Sequence, residues 1–445
     1  MLLEIQTIKN VKMKNTVRLS YFIFFISYYS CIISSCSISN QIAKQASNIL
    51  LKDTAVRQGH IGISIYEPAT GKYWYEHDAD KYFVPASNTK LFTLYAGMKY
   101  LGDSLVGLRY FTDQNTTYIR PSGDPTFLLK EFSNQPVYEF LKKQNKIIIS
   151  RPPDVDFYAN GWAWNDYLYE YMVPRSVFPI YGNIVTFKWL SQNNIKVSPT
   201  YFEKNIPSNH KFEKGFEILK SFDENNFQFL DGKEKIQNIP FYPDMPTVSK
   251  LLDDTLKLNE NSTLTLKSYG TILIHSQPTD SLFKPMMHRS DNFFAEQTLL
   301  MASNEKLGYM SDKDMIDTLL KTDLKDIPQK PKWVDGSGLS RYNLFTPQSF
   351  VYLLHKMKNE FNWERIKNIL PTGGEGTLSN YYKTEAGYLF AKTGTLSNNC
   401  ALSGYLITKK NKLLIFSVLA NNYQTGATPV RRAVEKFIKN IREKY

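Results

Sequence analysis

Apolar and polar residues alternate with period two near both ends of this chain, and between those stretches they recur at helical spacing. Residues 60–66 and 72–75 alternate around Pro68-Ala69-Thr70-Gly71, which predicts a β-hairpin. Residues 401–408 and 413–419 read as two more strands around the polar turn Lys409-Lys410-Asn411-Lys412. Tyr388-Leu389-Phe390-Ala391 is a shorter strand-like run. Helical patterns run over 41–52, over the apolar stretch 91–100, over most of 285–302 and over 429–445, the last of them basic and amphipathic. The two ends of the chain thus supply strands and helices for one antiparallel sheet with helices packed on it, an α/β (α+β) architecture.

The middle differs. Residues 108–265 are loop-rich, aromatic and rich in asparagine, and Pro152-Pro153, Pro174, Pro207 and Pro240 punctuate them. This predicts one or two inserted β-rich domains with no motif chemistry. The expected organisation is a leader over 1–36, a first part of the main domain over 37–107, the insertion over 108–265 and a second part over 266–445.

The leader is legible in its own right. Basic residues up to Arg18 precede an apolar stretch, 19–35, that is short for a membrane span and broken by serines, so it reads as an export signal. It ends Ile33-Ser34-Ser35-Cys36, similar to a bacterial lipobox, and Cys36 would then become a lipidated N-terminus tying the protein to a membrane. An ordinary cleavage site nearby and an uncleaved anchor are the alternatives, and Met13 is a second candidate start. The expected location is the periplasm, on a lipid anchor.

Composition narrows the class. The chain has 445 residues, enough for two or three domains, and 42% hydrophobic with 14% aromatic residues excludes a disordered protein. The formal charge is +12, most of it outside the leader, yet no basic-aromatic stripe or nucleic-acid motif accompanies it. A solvated surface with some bias toward anionic cell-wall polymer is expected, and no nucleic acid. Of three cysteines, Cys31 lies in the leader and Cys36 is the lipidation candidate, so Cys400 reads as a buried strand thiol without a disulfide. The six histidines show no metal-binding spacing, so neither metal nor cofactor is expected.

Three short motifs carry the candidate chemistry: Ser87-Asn88-Thr89-Lys90, Ser290-Asp291-Asn292 and Lys392-Thr393-Gly394-Thr395. Singly they are weak. S-x-x-K occurs at Ser87, Ser208, Ser281 and Ser303. Only Ser87 follows a proline and precedes a helical apolar run; the other three read as surface or loop serines. Ser87 is then at a helix N-terminus with Lys90 one turn on, so the two side chains meet. All three motifs in this order describe acyl transfer by a serine with a lysine partner. A serine hydroxyl needs a base, and a lysine desolvated in a cleft or crowded by a second cation becomes one. The roles expected are Ser87 as nucleophile, Lys90 as general base, Ser290 as proton relay to the leaving amine and Asn292 as holder of the substrate amide. Lys392 would supply charge for a substrate carboxylate, and Thr393 a hydroxyl donor. Gly394 would permit close approach, and the backbone N–H groups of Ser87 and Thr395 would form an oxyanion hole.

On these motifs the chain resembles the D-alanyl-D-alanine carboxypeptidase/endopeptidase family, the class C low-molecular-mass penicillin-binding proteins. Gly123-Asp124-Pro125-Thr126, Gly161-Trp162-Ala163-Trp164-Asn165-Asp166, Asp335-Gly336-Ser337-Gly338-Leu339-Ser340-Arg341 and Leu370-Pro371 with Gly376-Thr377-Leu378 are similar to further elements of that family. Asn165 stands where the family usually has aspartate, and residues 370–376 depart from its commoner Pro-Val-Ala-Gly. The resemblance implies a serine β-lactamase/transpeptidase-like domain interrupted by inserted material. It implies an exported serine-type D-Ala-D-Ala carboxypeptidase acting on peptidoglycan stem peptides, with D,D-endopeptidase action as a second activity. β-Lactams would acylate Ser87. No Glu-x-x-Leu-Asn element is present, so efficient penicillin hydrolysis is not expected. A same-fold esterase or D-amino-acid peptidase, or a degenerate cell-wall-binding lipoprotein, are the alternatives.

Overall fold

The computed structural model describes residues 38–445 apart from 151, 152, 154, 193, 208–210, 259–261 and 268–271. Cys36 with the whole predicted leader, and Ser208, lie outside the described residues.

In chain order, β1 (His60–Glu67) and β2 (Lys72–His77) form the expected hairpin, and α1 (Lys90–Tyr100) follows. The middle holds β3 (Ser104–Asp113), β4 (Thr116–Pro121), β5 (Lys146–Ser150), β6 (Ile184–Ser191), β7 (Asn194–Ser198), β8 (Phe216–Lys220), β9 (Phe227–Asp231), β10 (Ile236–Pro240), β11 (Thr263–Thr265) and β12 (Ile272–Pro278). Then come α2 (Thr279–His288), α3 (Asn292–Leu307), α4 (Pro347–Glu360), β13 (Leu389–Leu396), β14 (Asn399–Ile407), β15 (Leu413–Asn421) and α5 (Ala427–Lys444).

One antiparallel sheet of order β13-β14-β15-β1-β2 joins the two ends of the chain. Side chains of a strand alternate between faces, and β15 shows this directly. Its Ile415 and Leu419 join the core shared with α1 and α3, whereas Leu414, Phe416, Val418 and Ala420 join the core under α5 and the helical residues 38–51. Helices therefore cover both faces, which is why this strand reads as a continuous apolar run. Each large side chain buried there contributes roughly 1.5–3 kcal/mol.

α1 and α3 are buried almost all round and run close together, with no room for a side chain at Gly97 between Phe283 and Thr298. The helical pattern over 285–302 is broken rather than continuous. Asp291 accepts a hydrogen bond from the N–H of Phe294 (2.9 Å) and caps α3, while Ser290 before it has φ +63°. Ser303, expected at the surface, is buried on α3 with its hydroxyl donated to the Tyr309 carbonyl (2.7 Å). Cys400 is buried in β14 with a free thiol.

The middle builds a five-stranded sheet β11-β5-β4-β3-β12, a three-stranded sheet β10-β6-β7 and the pair β8-β9. Its asparagine-rich loops enclose an aromatic core of Phe187, Phe202, Phe212, Phe216, Phe227 and Phe241. β3 and β12 are neighbours, with Ser104 opposite Pro278. The chain therefore leaves and re-enters the main layers at adjacent points, and the long separation of Ser87 from Ser290 in sequence is no separation in space. Among the described residues no helix is long and apolar enough to cross a membrane, and no group of His, Cys, Asp and Glu could hold a metal ion.

Candidate active site

The nucleophile motif sits slightly differently from a simple helix start. Ala86–Thr89 form a 3-10 turn and α1 begins only at Lys90. Ala86 has φ +49°, a conformation disfavoured for a side-chain-bearing residue and held by its surroundings. The Asn421 side chain grips the backbone just before it, accepting from Val84 N–H (2.7 Å) and donating to Val84 O (3.1 Å). Gly338 lies directly on the Ala86 carbonyl, where a Cβ would come within 2.0 Å. The turn aims Ser87 into a cleft of about 620 Å³ whose walls also include Ser290, Asn292, Thr393 and Thr395.

Lys90 is fully buried, and its Nζ lies 3.0 Å from Ser87 Oγ, 2.5 Å from Asn292 Oδ1 and 2.7 Å from Ser337 O. As an ammonium it donates to all three. As a free amine it keeps two donors for the carbonyl oxygens and turns its lone pair to the Ser87 hydroxyl, the geometry a base requires. Burial lowers its pKa to about 8, against the opposing pull of Asp335, Glu296 and Asp291.

Ser290 and Lys392 form a second hydroxyl–amine pair. Lys392 Nζ is 2.9 Å from Ser290 Oγ and donates to Thr393 O (2.8 Å). Burial drives the Lys392 pKa well below its usual value, and the nearby Lys90 and Arg431 drive it further. The Lys392 ammonium is buried behind Ser290, and the cations on the open cleft are Arg341 and Arg431. Asn292 also does more than face a substrate. Its Oδ1 meets Lys90, and its Nδ2 donates to the Tyr171 carbonyl (2.8 Å), tying the base to the segment around 161–172.

β13 passes beside the nucleophile turn. A Cβ on Gly394 would lie 2.6 Å from Pro85 O, 3.0 Å from Asn88 N and 3.1 Å from Ser87 N, so only glycine lets the strand lie this close. The Asn88 amide completes the seam, donating to Lys392 O (2.6 Å) and accepting from Ser403 Oγ (2.8 Å). Thr393 Oγ1 is 2.7 Å from Thr377 Oγ1, and Thr395 Oγ1 accepts from Arg431. Gly394→Ala must push strand and turn apart. Penicillin acylation kinetics should show a loss of about 10²-fold or more, comparable to removing an oxyanion donor; an unchanged rate would refute this contact.

Three charged residues outside the motifs complete the site. Asp335, fully buried, accepts from Gly338 N, Ser340 N, Asn343 Nδ2 and Trp162 Nε1 at 2.7–2.9 Å, and so folds the loop 335–343 around itself. Glu296, also fully buried, accepts from Ser337 N (2.7 Å), the residue whose carbonyl receives Lys90. Burial beside Asp335 pushes the Glu296 pKa up to about 7, with Arg175 pulling the other way. Arg175 Nη1 stands 3.5 Å from Glu296 and also pairs with Asp312. Sequence reasoning missed Glu296 and Arg175. For Glu296 a signal existed: it follows Asn292 by four positions, on the same face of α3. Arg175, like Asp166 and Tyr171 on the cleft, comes from the middle region that was expected to carry no chemistry.

Residues 42–207 and 264–443 match the D-Ala-D-Ala carboxypeptidase 3 (S13) family. Carboxypeptidase DacB of Mycolicibacterium smegmatis is 30% identical over 170 residues, covering 35% of this chain and 37% of that protein. Penicillin-sensitive carboxypeptidase A of Dictyostelium discoideum is 23% identical over 454 residues, 84% of this chain and 85% of that one. Among solved structures, penicillin binding protein 4 (dacB) from Haemophilus influenzae has a TM-score of 0.68 at 18% identity, over 90% of this chain and 98% of that chain, and shares the fold.

Proposed function

The chain belongs to the D-Ala-D-Ala carboxypeptidase 3 (S13) family, and on that premise we propose that it cleaves the terminal D-Ala-D-Ala bond of peptidoglycan stem peptides through an acyl-enzyme on Ser87. The observation that carries this reading is the Lys90 amine 3.0 Å from the Ser87 hydroxyl at the edge of a cleft shared with Ser290 and β13. Neutral Lys90 takes the Ser87 proton while Oγ attacks the penultimate carbonyl carbon. The N–H groups of Ser87 and Thr395 stabilise the oxyanion. As the C–N bond breaks, the Ser290 hydroxyl protonates the departing D-alanine amine and recovers a proton from the Lys90 ammonium across the cleft, which returns Lys90 to its neutral form, while Lys392 Nζ holds the Ser290 oxygen. Water then hydrolyses the ester. Lys392, behind Ser290, and Arg341 and Arg431 on the open cleft supply positive charge for the terminal carboxylate, with Thr393 and Thr395 as hydroxyl partners. β-Lactams mimic the same bond and acylate Ser87.

Digestion of purified sacculi, with monomeric and dimeric muropeptides read separately, tests the proposal. D-Alanine release from pentapeptide monomers is the expected result, and loss of dimers marks endopeptidase action. An assay that releases no D-alanine overturns the carboxypeptidase reading.

The buried acids make a pH prediction. Lys90 accepts a proton only when neutral, so acylation rises as pH passes through about 8. Glu296 raises the Lys90 pKa, so Glu296→Gln lowers it and moves the rising limb of the acylation profile to lower pH. A purely structural role for Glu296 would lower the rate without moving that limb.

Export to the periplasm and lipid anchoring through Cys36 belong to the same proposal, resting on the leader pattern alone. Cys36→Ala should release the protein from the membrane fraction. A variant that stays membrane-bound refutes lipidation at this cysteine.

A further inference from the structure

Tyr171 is a wall of the catalytic cleft and also of a second cleft, of about 490 Å³, built on the facing edges of β8 and β10. Across that gap the Ile218 N–H donates to the Gln237 side chain (2.9 Å). Leucines and isoleucines line it together with polar residues, Glu170, Glu217 and Asn238 among them. Its aromatic rim is unusually open to water. Tyr169 and Tyr171 stack with centroids 5.3 Å apart and planes 8° from parallel, yet are 56% and 45% exposed. Trp164, on the same segment, is 75% exposed.

A stacked pair of large rings left in water, with a third exposed ring a few residues away in the chain, marks a binding surface. This one is fixed rather than loose. Trp162 is bonded to Asp335, the Tyr167 hydroxyl donates to Lys220 O (2.8 Å), and the Tyr171 carbonyl receives Asn292. Flat ring faces beside carboxylate and amide groups suit pyranose rings: the C–H face of the sugar stacks on the ring, and its hydroxyls donate to the carboxylates. Two carboxylates disfavour an anionic ligand. Tyr171 lines both clefts, so a substrate that extends from the catalytic cleft past this ring meets the second one.

We propose that Trp164 and Tyr169, with the cleft beside them, bind the neutral saccharide chain from which the stem peptide hangs. This rests on the peptidoglycan reading above. The test uses the full chain with Trp164→Ala and Tyr169→Ala combined, neither residue lining the catalytic cleft. Peptide-free glycan chains should bind the wild type and bind the variant at least about tenfold more weakly. D-Alanine release from intact sacculi should fall similarly, while penicillin acylation and release from a sugar-free pentapeptide stay unchanged. Three results would overturn the inference: no binding of bare glycan by the wild type, an equal loss of penicillin acylation in the variant, or displacement of glycan by sugar-free peptide dimers. A wild type that binds glycan but releases no D-alanine from pentapeptide would instead refute the carboxypeptidase reading alone.

Discussion

Lys90→Met is expected to leave a folded protein whose acylation by penicillin is about 10³–10⁴-fold slower. Removing a positioned base costs about 10²–10⁴, and Lys90 is the amine bonded to the Ser87 hydroxyl. Methionine fills much of the lysine stem's volume, so the packed start of α1 should survive. What is lost is the ammonium between Asn292 Oδ1 and Ser337 O. Leaving those acceptors unmet costs about 1–3 kcal/mol each. Against this, a fully buried amine no longer has to be desolvated, so the net change in stability should be a few kcal/mol at most. Stopped-flow acylation and thermal melting, run side by side, check both halves. Near-normal acylation in a folded variant would show that another group takes the proton.

Ser87→Ala has the larger effect. No covalent adduct with a fluorescent penicillin should form at any time, because the atom that makes the bond is gone. Loss of a serine nucleophile elsewhere costs about 10⁶ in turnover, and removing the partner base as well costs little more. The double variant with Lys90→Met should therefore be no worse than Ser87→Ala alone. Stability should change by less than about 1 kcal/mol, since the hydroxyl's bond is to Lys90 and the site is open on the cleft side. A labelled Ser87→Ala protein, mapped by mass spectrometry, would identify a different nucleophile.

How far these features could be read from the chain depends on how local their causes are. The hairpin β1-β2 announces itself through alternation, and the strands β14 and β15 through short apolar runs around a polar turn, because neighbouring residues determine them. The meeting of Ser87 with Lys90 is equally local, one helical turn in length. The break at Ser290 was hidden because most of 285–302 is helix-compatible, and the Asp291 cap shows where α3 begins. Glu296 and Arg175 were less visible still. A carboxylate and a guanidinium far apart in sequence look like surface charges until packing removes water from both. The depressed pKa of Lys392 was hidden for the same reason, since it comes from burial and from cations supplied by α1 and α5. In the middle region, phenylalanines scattered among asparagines have no single period, and they become a core only once three sheets converge.

Arg175 has one more consequence. It reaches out of the middle region into the main layers to offset Glu296, and leaving such a buried acid without its cation costs about 3–5 kcal/mol. The intervening stretch is thus a keystone rather than baggage. A minimal enzyme made by splicing 37–107 to 266–445 would carry every motif serine and lysine and still fail to stand. Shortening of this protein, in the laboratory or by descent, has to spare that arginine and the segment around Asp156 and Phe157 that holds it.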